Sequence, residues 1–129
     1  MKSDKVTNNA VYVHLDGDGI GDRLELLLID GDIVGARSFS KSVSDTIAEV
    51  CASIEAVDGA QIVLAGGDDI IASIPSKSWD LKKIEEIRMR FVNKTGCTLS
   101  CGVGTSIQTA LNNLRRAKLS GKNRIVSRE

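Results

Sequence analysis

The feature that most constrains this chain is the run Gln61-Ile62-Val63-Leu64-Ala65-Gly66-Gly67-Asp68-Asp69-Ile70-Ile71-Ala72-Ser73-Ile74. Two apolar arms flank a Gly-Gly-Asp-Asp centre. Glycine supplies the backbone freedom of a tight turn and β-branched residues fill both arms, so the stretch predicts a β-hairpin. Adjacent carboxylates at its tip repel each other unless a cation sits there. Magnesium takes oxygen ligands and is commonly held by one or two carboxylates together with substrate phosphates. Asp68 and Asp69 are therefore candidate ligands in a metal-dependent nucleotidyl-transfer site.

A second acidic cluster lies upstream. Ala10-Val11-Tyr12-Val13-His14-Leu15 predicts a strand that runs straight into Asp16-Gly17-Asp18-Gly19-Ile20-Gly21-Asp22. A strand, a glycine-rich turn and a helix start point backbone N–H groups at an anion. Gly17, Asp18, Gly19, Ile20 and Gly21 are the expected phosphate cradle, with Gly66 and Gly67 at the nucleotide beside them. Two-metal chemistry needs carboxylates from separate strands to converge on ions roughly 3.5–4 Å apart. Asp16 and the Asp68–Asp69 pair meet that need if their strands are neighbours. A calcium loop of the EF-hand kind is rejected, because Leu27 stands where a bidentate Glu is required. Asp22 is read as a charge favouring the helix N-terminus. His14 is read as a packed histidine rather than a general base.

Periodicity gives the remaining elements. A strand spans about Ala10 to Asp16. A short helix from Gly21 to Asp30 carries Leu24, Leu27 and Leu28. A longer helix from Val34 to Val57 places Phe39, Val43, Ile47, Val50 and Ile54 on one face and is closed by Asp58-Gly59. The hairpin follows, then a loop over Pro75–Ser78. Asp80 to Thr95 is helical, with Leu81, Ile84, Ile87 and Phe91 together and Gly96 as the stop. Thr98 to Thr105 is a strand, and Ser106 to Leu119 a helix with Ile107, Leu111, Leu114 and Lys118 in register. Arg124 to Ser127 forms a short edge strand. The order βαββαβ, with one additional helix and that edge strand, is an α+β fold of the ferredoxin-like kind.

Leu15-Asp16-Gly17-Asp18 combined with Gly66-Gly67-Asp68-Asp69 resembles the polymerase/cyclase palm domains. These include the diguanylate cyclases and the palm of the large polymerase subunit of type III CRISPR complexes. Cys101-Gly102-Val103-Gly104 and Ala117-Lys118-Leu119-Ser120-Gly121-Lys122-Asn123-Arg124-Ile125 are similar to the small-residue strand and the closing segment of diguanylate cyclases. The Asp-Asp ending, the Asp-Gly-Asp-Gly-Ile-Gly turn and the short chain point to the minimal CRISPR polymerase family, stand-alone palms linked to antiviral nucleotide signalling. The resemblance runs from about Val11 to Val126. It implies that Asp16, the Gly17 carbonyl, Asp68 and Asp69 hold Mg2+ (or Mn2+), and that Lys118 and Lys122 contact the β and γ phosphates. The rival reading of both lysines is solvated cations at a helix C-terminus. Arg115, Arg116 and Arg124 are read as surface. The guanine-reading Asn of diguanylate cyclases falls on Leu24 here, and Val57-Asp58-Gly59-Ala60 lacks their inhibitory motif. The CRISPR polymerase palms use ATP and carry serines where this chain has Ser38, Ser40 and Ser42; Ser40 is the candidate base contact.

Composition excludes several alternatives. A length of 129 residues favours one domain, residues 1–129, with a real core. Lys plus Arg and Asp plus Glu both count 17, which argues against a large nucleic-acid-binding surface. Aromatics make up 3%, too few for base-stacking platforms. No stretch reaches the length of a membrane span, and the polar Met1–Asn9 start does not read as a signal peptide, so cytoplasmic residence is the default. Cys51, Cys97 and Cys101 lack metal-ligand spacing and are expected as buried, reduced thiols.

The expectation is a nucleotidyltransferase that makes cyclic oligonucleotide messengers from ATP. No template nucleic acid is expected, since fingers and thumb are lacking. A homodimer is expected to bring two half-sites together. The alternative is a degenerate palm that binds nucleotides or cyclic nucleotide signals without turnover. A fragment of a larger polymerase is disfavoured by the tidy start and end.

Overall fold

Alternation of Val13 and Leu15 with Tyr12, His14 and Asp16 gives β1 (Ala10–Gly17) two different faces. Val13 and Leu15 are fully buried, so β1 is driven to the middle of a sheet. It pairs antiparallel with β3 (Asp69–Pro75) on one side and β4 (Leu99–Gly104) on the other. β2 (Gln61–Gly66) pairs antiparallel with β3, and β5 (Ile125–Ser127) runs parallel to β4. The resulting order is β2-β3-β1-β4-β5, the ferredoxin-like arrangement extended by one strand. The computed structural model describes residues 9–129, so the start read over Met1–Asn9 lies, except for Asn9, outside the described residues.

Among the described residues there are four α-helices, α1 (Ile20–Ile29), α2 (Ile33–Glu55), α3 (Leu81–Thr95) and α4 (Ile107–Leu119). α2 and α3 cover one face of the sheet. Phe39, Val43, Ile47, Val50 and Ile54 of α2, with Ile84, Ile87 and Phe91 of α3, pack on Val13, Leu15, Ile70, Ala72 and Leu99. Full burial of Ile84, Ile87 or Phe91 stabilises by about 1.5–3 kcal/mol each. Asp32 caps α2 by accepting from the Gly35 N–H at 2.8 Å, and Gly96, at φ 77°, ends α3 as expected.

α4 lies on the other face, and glycine decides how close. Every residue of β4 is buried. A Cβ on Gly102 would stand 2.1 Å from the Ala110 carbonyl oxygen and 2.2 Å from the Leu114 nitrogen. Contact therefore runs along Ala110, Leu114 and Ala117, while Ile107 and Leu111 are left 42% and 51% exposed. Ile107 and Leu111, expected in register with Leu114 along the helix, therefore do not share its buried contact. Leu28 and Leu81 are also exposed, whereas Leu24 and Leu27 pack against the core. Helix α2 stops two residues short of the predicted Val57, and Ser76–Ser78 is one 3₁₀ turn rather than plain loop. The hairpin carries an unpredicted irregularity between Ile62 and Leu64, leaving Val63 and Leu64 about half exposed.

Cys97 and Cys101 are buried, Cys51 is partly so, and all three are free. Burial pushes the Cys101 and Cys51 thiols up, which favours their protonated form. Cys97 precedes β4, so it does not share a strand with Cys101. No helix among the described residues is long and apolar enough to cross a membrane.

Candidate active site

The site grows from strand register. Asp16 near the end of β1 stands directly opposite Asp69 at the start of β3. Directly opposed residues share a face with Cβ atoms about 4.5–5.5 Å apart, so these two carboxylates are neighbours. Gly67, at φ 61°, makes the tight turn between β2 and β3 that puts Asp68 at the tip. The Asp68 carbonyl accepts from the Gly17 N–H at 2.9 Å, tying the tip to β1. Asp16, Asp68 and Asp69 thus gather at one end of the sheet, as the two-strand reading requires. Burial raises the Asp16 pKa above its ordinary value; Lys118 opposes the rise, and Asp68 and Asp69 add to it.

Lys118 reaches this end because the glycines of β4 let α4 lie close. Its ammonium donates to the Asp18 carboxylate at 2.7 Å and to the Gly17 carbonyl at 3.1 Å, and it stands 3.1 Å from Asp16 Oδ2. Burial lowers the Lys118 pKa, but bonding to Asp18 and the charge of Asp16 outweigh that and hold it above its ordinary value. Lys118, expected on the phosphates, therefore bridges the acidic strand end instead. Lys122 sits in a left-handed turn at φ 63° and is exposed.

Asp18 is where the structure narrows the sequence reading most. Its side chain is buried, and it accepts from Thr98 Oγ1 at 2.7 Å, Ser100 Oγ at 2.8 Å, Lys118 Nζ at 2.7 Å and the Asn123 N–H at 3.1 Å. Burial raises its pKa, but these donors together hold it below the usual carboxylate value. Its own N–H donates to the Thr98 carbonyl at 2.9 Å. Asp18 is thus an internal anchor, and with Gly17 bonded to Asp68 the backbone N–H groups left as a candidate phosphate cradle are those of Gly19, Ile20 and Gly21. Gly19, at φ 70°, caps α1 without a side-chain bond. The first-turn N–H groups that follow have no intrahelical acceptor and face an anion favourably. Asp22 lies in that first turn, as expected.

Beside the start of α1 opens a cleft of about 250 Å³ lined by Ile20, Gly21, Leu24, Phe39, Ser40, Gly67 and Asp68, among others. Ser40 and Leu24 thus share a cavity with the hairpin tip, while Ser42 donates to the Lys94 carbonyl at 2.8 Å. A larger depression, about 470 Å³, lies at the far end of the strands around Tyr12, Gln61 and Pro75, away from the carboxylates. Gly66 ends β2 in the open.

Two residues have partners that their local sequence does not reveal. His14 is buried as expected, and its Nε2 lies 3.1 Å from Asp69 Oδ1, orienting that carboxylate. Thr98, Ser100 and Asn123 hold Asp18. The alternation Thr98-Leu99-Ser100-Cys101 in an otherwise small, apolar strand was the available signal that one face of β4 meets a polar group.

Among the described residues no three His, Cys, Asp or Glu side chains already converge as a metal cage. The donor set nevertheless fits Mg2+ or Mn2+, since Asp16, Asp68, Asp69 and the Gly17 carbonyl offer oxygen alone, and magnesium ordinarily completes its shell with water and substrate phosphates.

The fold and this acidic strand end define a palm domain of the polymerase and cyclase type. The chain belongs to the minimal CRISPR polymerase domain family, whose profile matches residues 12–128. The structure is similar to a crystal structure of a Csm1–Csm4 cassette in complex with cA4, with TM-score 0.73 and 20% identity over 93% of this chain. The chain spans only 21% of that Csm1–Csm4 match. A second Csm1–Csm4 cassette, in complex with pppApApA, matches with TM-score 0.71 and 20% identity over 90% of this chain and 20% of that one. The active GGEEF domain of a diguanylate cyclase from Vibrio cholerae matches with TM-score 0.63 and 15% identity, over 99% of this chain and 88% of that one. No curated protein sequence matches the chain.

Proposed function

We propose that the chain is a nucleotidyltransferase that joins ATP into a cyclic oligonucleotide, acting as a cytoplasmic homodimer in antiviral signalling. The observation that carries this reading is the register of Asp16 opposite Asp69, with Asp68 beside a cleft that contains Ser40. Family membership and the nucleotide complexes of the Csm1–Csm4 structures support it. Asp16, the Gly17 carbonyl, Asp68 and Asp69 would hold Mg2+ or Mn2+, which when bound supplies neutralisation of phosphate charge and activation of the attacking hydroxyl.

The residues do the rest by placement. Gly19, Ile20 and Gly21 offer N–H groups to the triphosphate. Leu24 and Ser40 line the volume for the base, with Ser40 as the polar contact. His14 keeps Asp69 turned toward the reacting end. A ribose hydroxyl of one nucleotide attacks the α-phosphorus of another, the new P–O bond forms as the bond to pyrophosphate breaks, and the hydroxyl proton leaves toward Asp69 or solvent. Positioning and charge stabilisation carry most of such catalysis. One cleft of this size serves one nucleotide, so a second protomer supplies the other. The test is pyrophosphate release from ATP with Mg2+, with EDTA and Asp68→Asn as controls; release that survives both controls refutes the reading. A second reading, nucleotide binding without turnover, is favoured by Lys118, which already neutralises Asp16. It predicts ATP binding with no pyrophosphate.

A further inference from the structure

The Lys118 ammonium has three N–H donors and meets three oxygens, from Asp16, Gly17 and Asp18. Two of these, the Asp16 carboxylate and the Gly17 carbonyl, are the oxygens that β1 offers to a cation. The third, Asp18, is committed elsewhere, because Thr98, Ser100 and the Asn123 N–H hold both of its oxygens. Lys118 is thus anchored at Asp18 and free to exchange only at Asp16 and Gly17. The side chains of Lys118 and Asp16 are 21% and 28% exposed, enough for ions to enter.

We propose that Lys118 is a built-in stand-in for the first metal ion: its ammonium occupies Asp16 and the Gly17 carbonyl until a divalent cation displaces it, and the Asp18 anchor then leaves it facing the incoming phosphates. This inference rests on the reading of Asp16 and Gly17 as metal ligands. An ammonium and a divalent cation cannot share those oxygens, because like charges at such separation repel strongly. Metal entry and release of Lys118 are then one event. The device keeps a strand-end carboxylate neutralised without metal and couples phosphate capture to metal loading.

The test uses the whole protein without nucleotide and Mn2+ alone as the probe. Mn2+ affinity is measured by calorimetry for wild type, Lys118→Met, Lys118→Arg and Arg115→Met. Arg115 is exposed on the same helix and removes an equal charge without touching the ligands. Removing the competing charge should tighten Mn2+ binding by about tenfold or more in Lys118→Met. Lys118→Arg should stay near wild type and Arg115→Met within about twofold, as expected for a screened surface charge. Lysine acetylation footprinting of wild type needs no variant: Lys118 should be protected without metal and become several-fold more reactive with Mg2+, while Lys82, exposed in the first turn of α3, should not change. Equal tightening in Lys118→Met and Arg115→Met, unchanged or weaker binding in Lys118→Met, or Lys118 reactivity indifferent to Mg2+ overturns the proposal. Absence of Mn2+ binding in every protein also overturns it, yet leaves nucleotidyl transfer standing, since metals can arrive with the triphosphate. Tighter binding in Lys118→Met with no turnover of ATP by wild type upholds the exchange and refutes the enzyme.

Discussion

Replacing Gly102 by alanine should cost more than most core substitutions, although it adds one methyl group. The new Cβ would stand 2.1 Å from the Ala110 carbonyl oxygen, 2.2 Å from the Leu114 nitrogen and 2.8 Å from its Cα. All three are backbone atoms of α4, so no side-chain rotation relieves the clash, and the helix must withdraw by about 1.4–1.9 Å to restore ordinary contact separations near 3.5–4 Å. Overpacking ordinarily costs about 1–3 kcal/mol, and rigid backbone on both sides puts this site at or above the top of that range. A loss of about 3 kcal/mol corresponds to roughly 10 °C in Tm for a domain of this size. The same withdrawal pulls Lys118 from its 2.7 Å bond to Asp18, so ATP turnover should fall as well. Urea denaturation gives the stability change, and an unchanged m-value would locate the effect in the native state. Gly21→Ala is the counterpart, because nothing lies within 4 Å of its added Cβ. It sits inside a helix and should be neutral or stabilising by up to about 1 kcal/mol. A loss under about 1 kcal/mol for Gly102→Ala would refute the close-seated helix, since overpacking a rigid contact costs more.

Asp18, held below its ordinary pKa, contributes stability that is fully present above the unfolded-state value near 3.8 and is lost as pH falls through the folded value. Acid titration of Tm should therefore show a loss below about pH 4 that is smaller in Asp18→Asn; identical acid limbs would count against the anchor. Asp16 works the other way: its raised pKa means that stability falls as pH climbs from the unfolded-state value through the folded one. Asp16→Asn should accordingly abolish pyrophosphate release while the metal-free Tm at neutral pH holds or rises, and a large drop in Tm would make Asp16 structural. Ser40→Ala should narrow the ATP/GTP preference more than it weakens total binding, because a hydrogen-bonding site rejects the wrong base far more strongly than an apolar one. A ratio unmoved by the change would remove Ser40 from base selection.

Most of the architecture was legible because glycine punctuates it. Gly31, Gly59 and Gly96 each have φ between 71° and 78°, at the breaks where helices were expected to end. The three-and-four spacing of Phe39 through Ile54 reports a helix packed along its length, so periodicity and burial agree there. They part company in α4, where Ile107 and Leu111 keep the period but Gly102 and Gly104 choose which stripe touches the sheet. That choice depends on the partner strand, which local sequence does not contain. The carboxylates were legible because chemistry concentrates them at turns. The role of Asp18 was not, since an acid that anchors a turn and an acid that lines a phosphate cradle look alike until Thr98, Ser100 and Asn123 arrive from far along the chain. The bond between His14 and Asp69 is hidden for the same reason.

Mass spectrometry of the products from ATP and Mg2+, with wild type and Asp16→Asn side by side, decides whether the acidic strand end carries nucleotidyl transfer. Wild type should form a ring of adenylate units without a terminal phosphate, together with pyrophosphate, and Asp16→Asn should form neither. Intact ATP alone from folded, nucleotide-binding wild type would contradict this, as would the same product from both proteins.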